Sequence, residues 1–369
     1  MLHVRFGLVL ALLLVGVGCS STQSLNSTEQ PASKAVELDS SEIFEIFSST
    51  NKQNYRIRAR LPASYSTDTD KQYPIIIKVD GQWDFLLATS AYNCIYFDGQ
   101  MPEAVIVGID WGDVEGNIHE IRARDLLPQA SRHFANSGHA ASFVKVIAEE
   151  IVPALEKRYR LNGERYLLGG SWGGLFVTYA LLEKPEVFAG AIAIGPSYGA
   201  AVDVLQKQIE AASKSKQFDG KRLYVGIGKW DSIESDVLSY AKALTDAKVP
   251  GLNFKLDHLE GFGHSGMNIP GYAAGYQYIF SRPRLSLSPH QLQPLVGVYR
   301  MEGDEDEIEV AISGPDLTVK LSDGHVNLWA KSETSFYHPG VFYNLSFTEG
   351  QALLETFFGQ YRYIRVTPQ

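Results

Sequence analysis

The chain has 369 residues, 45% of them hydrophobic and 20% charged, close to the averages of soluble globular proteins, so disordered and collagen-like classes are excluded for the whole. Its length calls for two units of ordinary size, or one large unit with an appendage. The formal net charge is −9, and an acidic chain without a basic stripe is not expected to bind nucleic acid through its phosphates. Only two cysteines, Cys19 and Cys94, are present, which excludes a disulfide framework and a four-cysteine zinc site.

Residues 1–18 read as an address. Met1 to Arg5 carries one cation, and Leu8 to Val17 is almost wholly apolar, the length of a signal h-region and too short to span a bilayer. The run ends in Gly16, Val17, Gly18 and Cys19, which resembles a bacterial lipoprotein signal with Cys19 as the acylated first residue of the mature chain. An ordinary signal peptide cut nearby is the alternative. Ser20 after the cysteine implies, by the rule for such lipoproteins, the outer membrane of a Gram-negative envelope. Residues 19–40, rich in Ser, Thr and Gln, form the expected flexible tether. Cys94 has no cationic neighbour to activate it and reads as a small core residue.

Residues 41–284 alternate strand-like and helix-like segments. Residues 43–48 and 55–61 suggest an opening antiparallel pair. Residues 73–79 and 104–109 are apolar runs typical of buried strands. Residues 143–159 are helical, with Val144, Ile147, Ile151 and Leu155 on one face. Strands then fall at 166–168, 189–194, 223–227 and 253–258, and helices at 175–182, 202–212, 237–247 and 272–280. That alternation predicts an α/β fold with a mostly parallel sheet and helices on both faces. Near residue 285 the pattern changes. Short β-rich runs separated by Gly, Asp, Pro and Ser occupy 285–369, which predicts a small all-β sandwich or barrel without a helix.

The sharpest motif is Gly169-Gly170-Ser171-Trp172-Gly173-Gly174. It follows a predicted strand and opens a predicted helix, the context of a nucleophile elbow. Ser171 must take up an unfavourable backbone conformation, and only Gly169 and Gly173 let strand and helix approach closely. A serine hydroxyl needs a base. Of the nine histidines, only His258 and His264 lie in this unit after Ser171. His258 falls on a strand, and His264 in the Gly-rich loop beyond it, so His264 is the candidate base. The orienting acid should follow strand 223–227, where Asp231, Glu234 and Asp236 compete; Asp231 is nearest the strand end. An oxyanion hole would take its backbone N–H groups from Trp172 and from Gly81, in the loop Asp80-Gly81-Gln82-Trp83.

Taken together, six segments resemble the esterase D type of esterases within the α/β-hydrolases. They are Arg60 to Tyr65, Val79 to Gln82, Ala104 to Ile109, Arg124 to Pro128, Gly170 to Phe176, and Gly263-His264. The set is most similar to the branch containing ferric-siderophore esterases, which cleave catecholate trilactones. The resemblance implies a serine esterase over about residues 43–282, with no metal and no cofactor. Two departures stand out. That branch usually has His where this chain has Gly170, and some of its members work with a Ser–His dyad, which leaves Asp231 open. The β-unit resembles the small β-domain of some β-lactamase-like hydrolases through Leu295 to Tyr299.

Trp83, Trp111, Trp172 and Trp230 each fall just past the end of a predicted strand, the edge where open α/β sheets bind ligands. They are expected to form an aromatic mouth suited to an aromatic acyl group or a catechol. Arg122 and Arg124, in the loop after Trp111, are expected either to attract an anionic substrate or to be solvated beside Glu120 and Asp125. The reading is a membrane-anchored esterase of small-molecule esters. Its rivals are an acetyl or feruloyl polysaccharide esterase and a non-catalytic envelope binding protein.

Overall fold

Parallel strands covered on both faces are shielded from water along their whole length, as two strands here show. Every residue of β3 (Tyr73–Val79) and of β4 (Val105–Asp110) is buried. The computed structural model describes residues 37–112, 117–322 and 324–366. The expected signal segment, Cys19 and most of the tether lie outside them.

The sheet has the order β1-β2-β4-β3-β5-β6-β7-β8. Its opening strands β1 (Ser41–Ser48) and β2 (Gln53–Arg60) are antiparallel, and β2 runs antiparallel to β4. From β4 onward, through β3, β5 (Leu161–Gly170), β6 (Gly190–Ile194), β7 (Arg222–Gly228) and β8 (Asn253–Leu259), every pairing is parallel. The expected α/β class is what the chain adopts.

Helices α1 (Gly81–Phe97) and α2 (Ile118–Leu126) correct the sequence reading, which placed Gly81 and Arg122 in loops. Cys94 is a second correction. It lies exposed on α1 rather than in the core. Helices α3 (Ala140–Val146) and α4 (Val152–Arg158) are joined through a π-turn at Ile147–Ile151. Pro153, which has no N–H to give the helical ladder, accounts for that slip. The layer is completed by α5 (Trp172–Glu183), α6 (Val202–Ala212), α7 (Glu234–Ala247) and α8 (Asn268–Ile279). None of the described helices is long and apolar enough to cross a membrane.

A short helix, α9 (Pro289–Leu292), follows, capped by Ser288; the sequence reading had no helix there. Eight antiparallel strands then close into a barrel, from β9 (Gly297–Met301) through β10 (Glu307–Ser313), β11 (Asp316–Leu321), β12 (Gly324–Ala330), β13 (Ser335–Tyr337), β14 (Tyr343–Thr348) and β15 (Gln351–Thr356) to β16 (Gly359–Arg365). Closure removes the exposed edges that a small sheet would otherwise leave. Leu292, Ile308, Leu317, Phe336 and Leu345 fill its interior without exposure. The barrel rests on the ends of α1 and α8. Arg282 donates to Asn344 Oδ1 at 2.8 Å, Gln100 donates to the Pro339 carbonyl at 2.6 Å, and the rings of Phe97 and Phe357 lie 4.2 Å apart.

Candidate active site

Strand β5 ends at Gly170 and α5 begins at Trp172, so a single residue makes the turn. That residue is Ser171, with φ 56° and ψ −121°, a combination that side chains oppose sterically. Gly169 has no room for a side chain, and Gly173 has little. A Cβ on Gly169 would lie 2.2 Å from the Gly173 carbonyl oxygen, and one on Gly173 would lie 3.0 Å from Val79 Cγ2 and 3.1 Å from Asp80 Oδ2. Backbone bonds pin the turn, from Ser171 N to the Ile194 carbonyl at 2.9 Å and from Ser197 N to the Ser171 carbonyl at 3.2 Å.

His264 lies in the turn between β8 and α8, and Asp231 just past β7. Their side chains meet, His264 Nδ1 to Asp231 Oδ2, at 2.7 Å. The Asp231 carboxylate is almost fully buried and also accepts from Ile233 N at 3.3 Å. Glu234 and Asp236 open α7 instead, and Asp236 packs beside Gly199. With Nδ1 facing Asp231, Nε2 is the ring nitrogen left for Ser171. Ser171 and His264 line one open cavity of about 450 Å³, together with Lys78, Asp80, Trp83, Asp84, His119, Arg122 and Asn268.

Gly81 and Trp172 are the first residues of α1 and α5. The first N–H groups of a helix have no partner within it and point along the positive end of its dipole. The two helix starts are adjacent: the Asp80 carboxylate sits beside Gly173, and Gly81 packs so closely on β4 that a Cβ would lie 2.9 Å from Gly108 Cα. Asp80 itself takes the left-handed conformation, φ 61°.

The charged and aromatic expectations need correction. Arg122 does not present a free cation to the cavity. Its Nε and Nη2 donate to both oxygens of Asp80 at 2.7 and 2.8 Å, and its guanidinium lies 4.5 Å from the Trp83 ring and 5.1 Å from the Trp172 ring. Arg124 is paired in the same way with Asp125 and does not line the cavity. Trp111 is buried, packs on Phe143 and donates to Asp125 Oδ2 at 2.8 Å, so it belongs to the core and not to a mouth. Trp230 is exposed but not among the lining residues, and Trp172 packs edge-on against Phe134. Of the four tryptophans, Trp83 alone lines the cavity.

Several residues were missed. Ser197 places its Oγ 3.3 Å from Ser171 Oγ. Lys78, 1% exposed, forms an ion pair with Asp84 at 2.7 Å. Asp84 also accepts from the Tyr272 hydroxyl and from Asn268 Nδ2. Burial, and then the Asp84 charge, hold the Tyr272 hydroxyl well above its ordinary pKa, so it remains a donor. A lysine inside the apolar run of β3 was the available signal. At Gly170, where the sequence departs from the resembled branch, a Cβ would lie 3.3 Å from Asn268 Oδ1, so a larger residue would require that side chain to shift. Among the described residues no cluster of three or more His, Cys, Asp or Glu is arranged to hold a metal.

Residues 48–248, just over half of the chain, match the family model described as "Putative esterase". The chain belongs to this esterase family. Ferri-bacillibactin esterase BesA of Bacillus subtilis is 30% identical over 192 residues, 47% of this chain and 64% of that protein. Siderophore triacetylfusarinine C esterase of Aspergillus fumigatus is 31% identical over 175 residues, 44% of this chain and 57% of that one. The esterase-family chain thus spans less than two thirds of the curated relatives it matches. Its fold is that of the BES protein from Bacillus cereus (TM-score 0.60, 22% identity, 68% of this chain and 98% of that one). It is also that of the siderophore hydrolase EstB from Aspergillus nidulans (TM-score 0.59, 20% identity, 69% and 100%).

Proposed function

We propose that this chain is a carboxylic ester hydrolase working through an acyl-enzyme. The observation that carries the reading is the forced backbone of Ser171 in the same cavity as His264, which Asp231 holds by Nδ1. Ser171 Oγ attacks the ester carbonyl as its proton passes to His264 Nε2, forming the Oγ–C bond. The negative oxygen of the tetrahedral intermediate is met by the N–H groups of Gly81 and Trp172, a contribution of about 3–4 kcal/mol per donor in comparable sites. Collapse breaks the bond to the alcohol, which takes the proton from His264. Water then repeats the sequence and frees the acid and Ser171. Asp231 fixes the tautomer and stabilises the imidazolium.

The substrate class we infer is a siderophore or other aromatic ester. The names of the curated relatives and the position of Trp83 at the cavity support it. An acetyl or feruloyl polysaccharide ester is the second reading, and Trp83 bears on it too, because a feruloyl group is also aromatic. A binding role without catalysis has no use for the forced turn at Ser171. From the sequence alone we further infer that Cys19 is acylated and holds the protein on the envelope membrane, since two or more acyl chains anchor stably. Cys19→Ser would then release it into the soluble fraction, and persistence on carbonate-washed membranes would refute the anchor. The direct test of the activity is hydrolysis of short aryl esters by the wild type and by Ser171→Ala. Equal rates would refute it.

A further inference from the structure

A second cavity, of about 270 Å³, opens where the barrel meets the sheet unit. Gln100, Gln277, Ser281 and Arg282 line it from the sheet unit, and Trp329 and Tyr337 from the barrel. None of these six lines the cavity of Ser171. Helix α8 touches both sites. Asn268 at its start belongs to the catalytic cavity, and Gln277 lies about 14 Å further along the helix axis.

Arg282 is a cation without a counter-ion. Its guanidinium is partly buried, and burial holds its pKa below the ordinary arginine value, yet an arginine stays charged. Among the described residues no carboxylate pairs with it. Nη1 and Nη2 donate to neutral acceptors, Asn344 Oδ1 at 2.8 Å and the His338 carbonyl at 3.2 Å, and the Tyr337 ring lies 3.8 Å away. Two of the five N–H groups of a guanidinium are so used, and three are left. The neighbouring charges are committed elsewhere. Arg284 lies over the Trp329 ring at 4.1 Å and pairs with Asp316 at 2.8 Å. Arg222 donates to the carbonyls of Tyr278, Ile279 and Ser281, which end α8. A cation withdrawn from water without an anion is unfavourable, and its planar fork matches a carboxylate through two parallel hydrogen bonds.

The rest of the lining is polar and aromatic. Gln277 Nε2 donates to Gln100 Oε1, and Gln100 Nε2 to the Pro339 carbonyl, both at 2.6 Å, so Gln277 Oε1 is left as an acceptor. Ser281 Oγ accepts from Arg222 at 3.0 Å, which leaves its O–H to donate. Trp329 and Tyr337 meet edge to face, 6.1 Å apart. Such walls suit a polyhydroxylated ring, whose C–H face packs on an indole while its hydroxyls take the polar groups. A plain aromatic acid would leave the amide and the hydroxyl unpaired.

We propose that this cleft binds an acidic sugar, its carboxylate on Arg282 and its ring against Trp329. The proposal does not depend on the catalytic assignment. A free uronate and a uronate unit within a polysaccharide present the same chemistry to it.

The test titrates the purified full-length chain with galacturonate, galactose, benzoate and trigalacturonate. Calorimetry gives the affinities. NMR of the isotope-labelled indole N–H groups of the five tryptophans gives the place, with the Trp329 and Trp83 signals identified by their loss in Trp329→Phe and Trp83→Phe. Galacturonate should shift the Trp329 signal with a millimolar dissociation constant that weakens in added salt. Galactose should bind about tenfold or more weakly, because it lacks the charge-assisted pair. Arg282→Gln should remove that preference. Trp329→Ala should weaken both sugars severalfold and leave aryl-ester hydrolysis unchanged. Arg282 also joins barrel to sheet, so if its variant fails to fold, Trp329→Ala and Gln277→Ala decide, both expected to weaken galacturonate. Tighter binding of the trimer assigns the site to a polysaccharide unit and equal binding to the free sugar, both in support. A galacturonate shift at Trp83 in place of Trp329, no binding at all, equal affinities for galacturonate and galactose, tighter binding of benzoate, or unchanged affinity in folded Arg282→Gln or Trp329→Ala would overturn the proposal.

Discussion

His264 Nδ1 lies 2.7 Å from Asp231 Oδ2, although 33 residues separate them. The pairing exists because β7 and β8 are parallel neighbours whose C-terminal ends lie side by side. In the proposed mechanism Asp231 orients the imidazole. Asp231→Asn should therefore lower kcat on aryl esters by about 10²–10⁴-fold, with a much smaller change in KM. Steady-state kinetics on the folded variant checks this. An unchanged kcat would mean that the site works as a Ser171–His264 dyad.

The glycines of the elbow are steric requirements. A Cβ at position 169 would sit 2.2 Å from the Gly173 carbonyl oxygen. Gly169→Ala should cost about 3 kcal/mol or more, because β5 and α5 cannot separate without disturbing the sheet. Chemical denaturation measures the loss. Gly163→Ala makes the comparison, since a Cβ there meets nothing within 4 Å, although its φ of 88° adds local strain. Equal, small losses at the two positions would contradict the packing argument.

Much of this site was legible because its chemistry is local. Gly169, Ser171 and Gly173 announce a tight strand-to-helix turn, and the loop beyond the last parallel strand offers one histidine, His264. What failed was long-range. Nothing near Arg122 in sequence reveals that Asp80, 42 residues away, consumes its charge. Position past a strand end told correctly where Trp111 lies along the chain but not which way its ring turns, and its partner is the buried Asp125. Helix α1 escaped notice because Trp83, Leu86 and Phe97 are exposed apolar residues that blur its period. Helix α2 escaped because Arg122 and Asp125 are buried on the face where apolar residues were expected. The barrel was legible only as a series of short strands, since closure depends on β9 meeting β16, far apart in sequence.

The contact of barrel and sheet can be weakened at one residue. Arg282 donates to Asn344 Oδ1 and to the His338 carbonyl and lies over the Tyr337 ring at 3.8 Å. Arg282→Ala should cost about 2–3 kcal/mol in hydrogen bonds to a charged donor. Calorimetry should show the barrel and the sheet separating into two transitions. A single, unshifted transition would show that the Phe97–Phe357 contact carries the junction.

Trp83 tests the aromatic preference by itself. Trp83→Ala should reduce kcat/KM for benzoyl-type esters about threefold to tenfold relative to acetyl esters of the same alcohol, since an aromatic contact contributes about 0.5–1.5 kcal/mol beyond burial. Trp111→Ala should instead lower stability, because the ring is buried. Equal losses of Trp83→Ala on both esters would favour the acetyl-ester reading.

The central claim is that Ser171 becomes covalently acylated. Intact-protein and peptide mass spectrometry after treatment with a fluorophosphonate, which phosphonylates an activated serine Oγ with loss of fluoride, identifies that nucleophile directly. The account predicts one adduct, on the peptide containing Ser171, absent in Ser171→Ala and formed far more slowly in His264→Ala. No adduct, or an adduct on another residue that persists in Ser171→Ala, would contradict it.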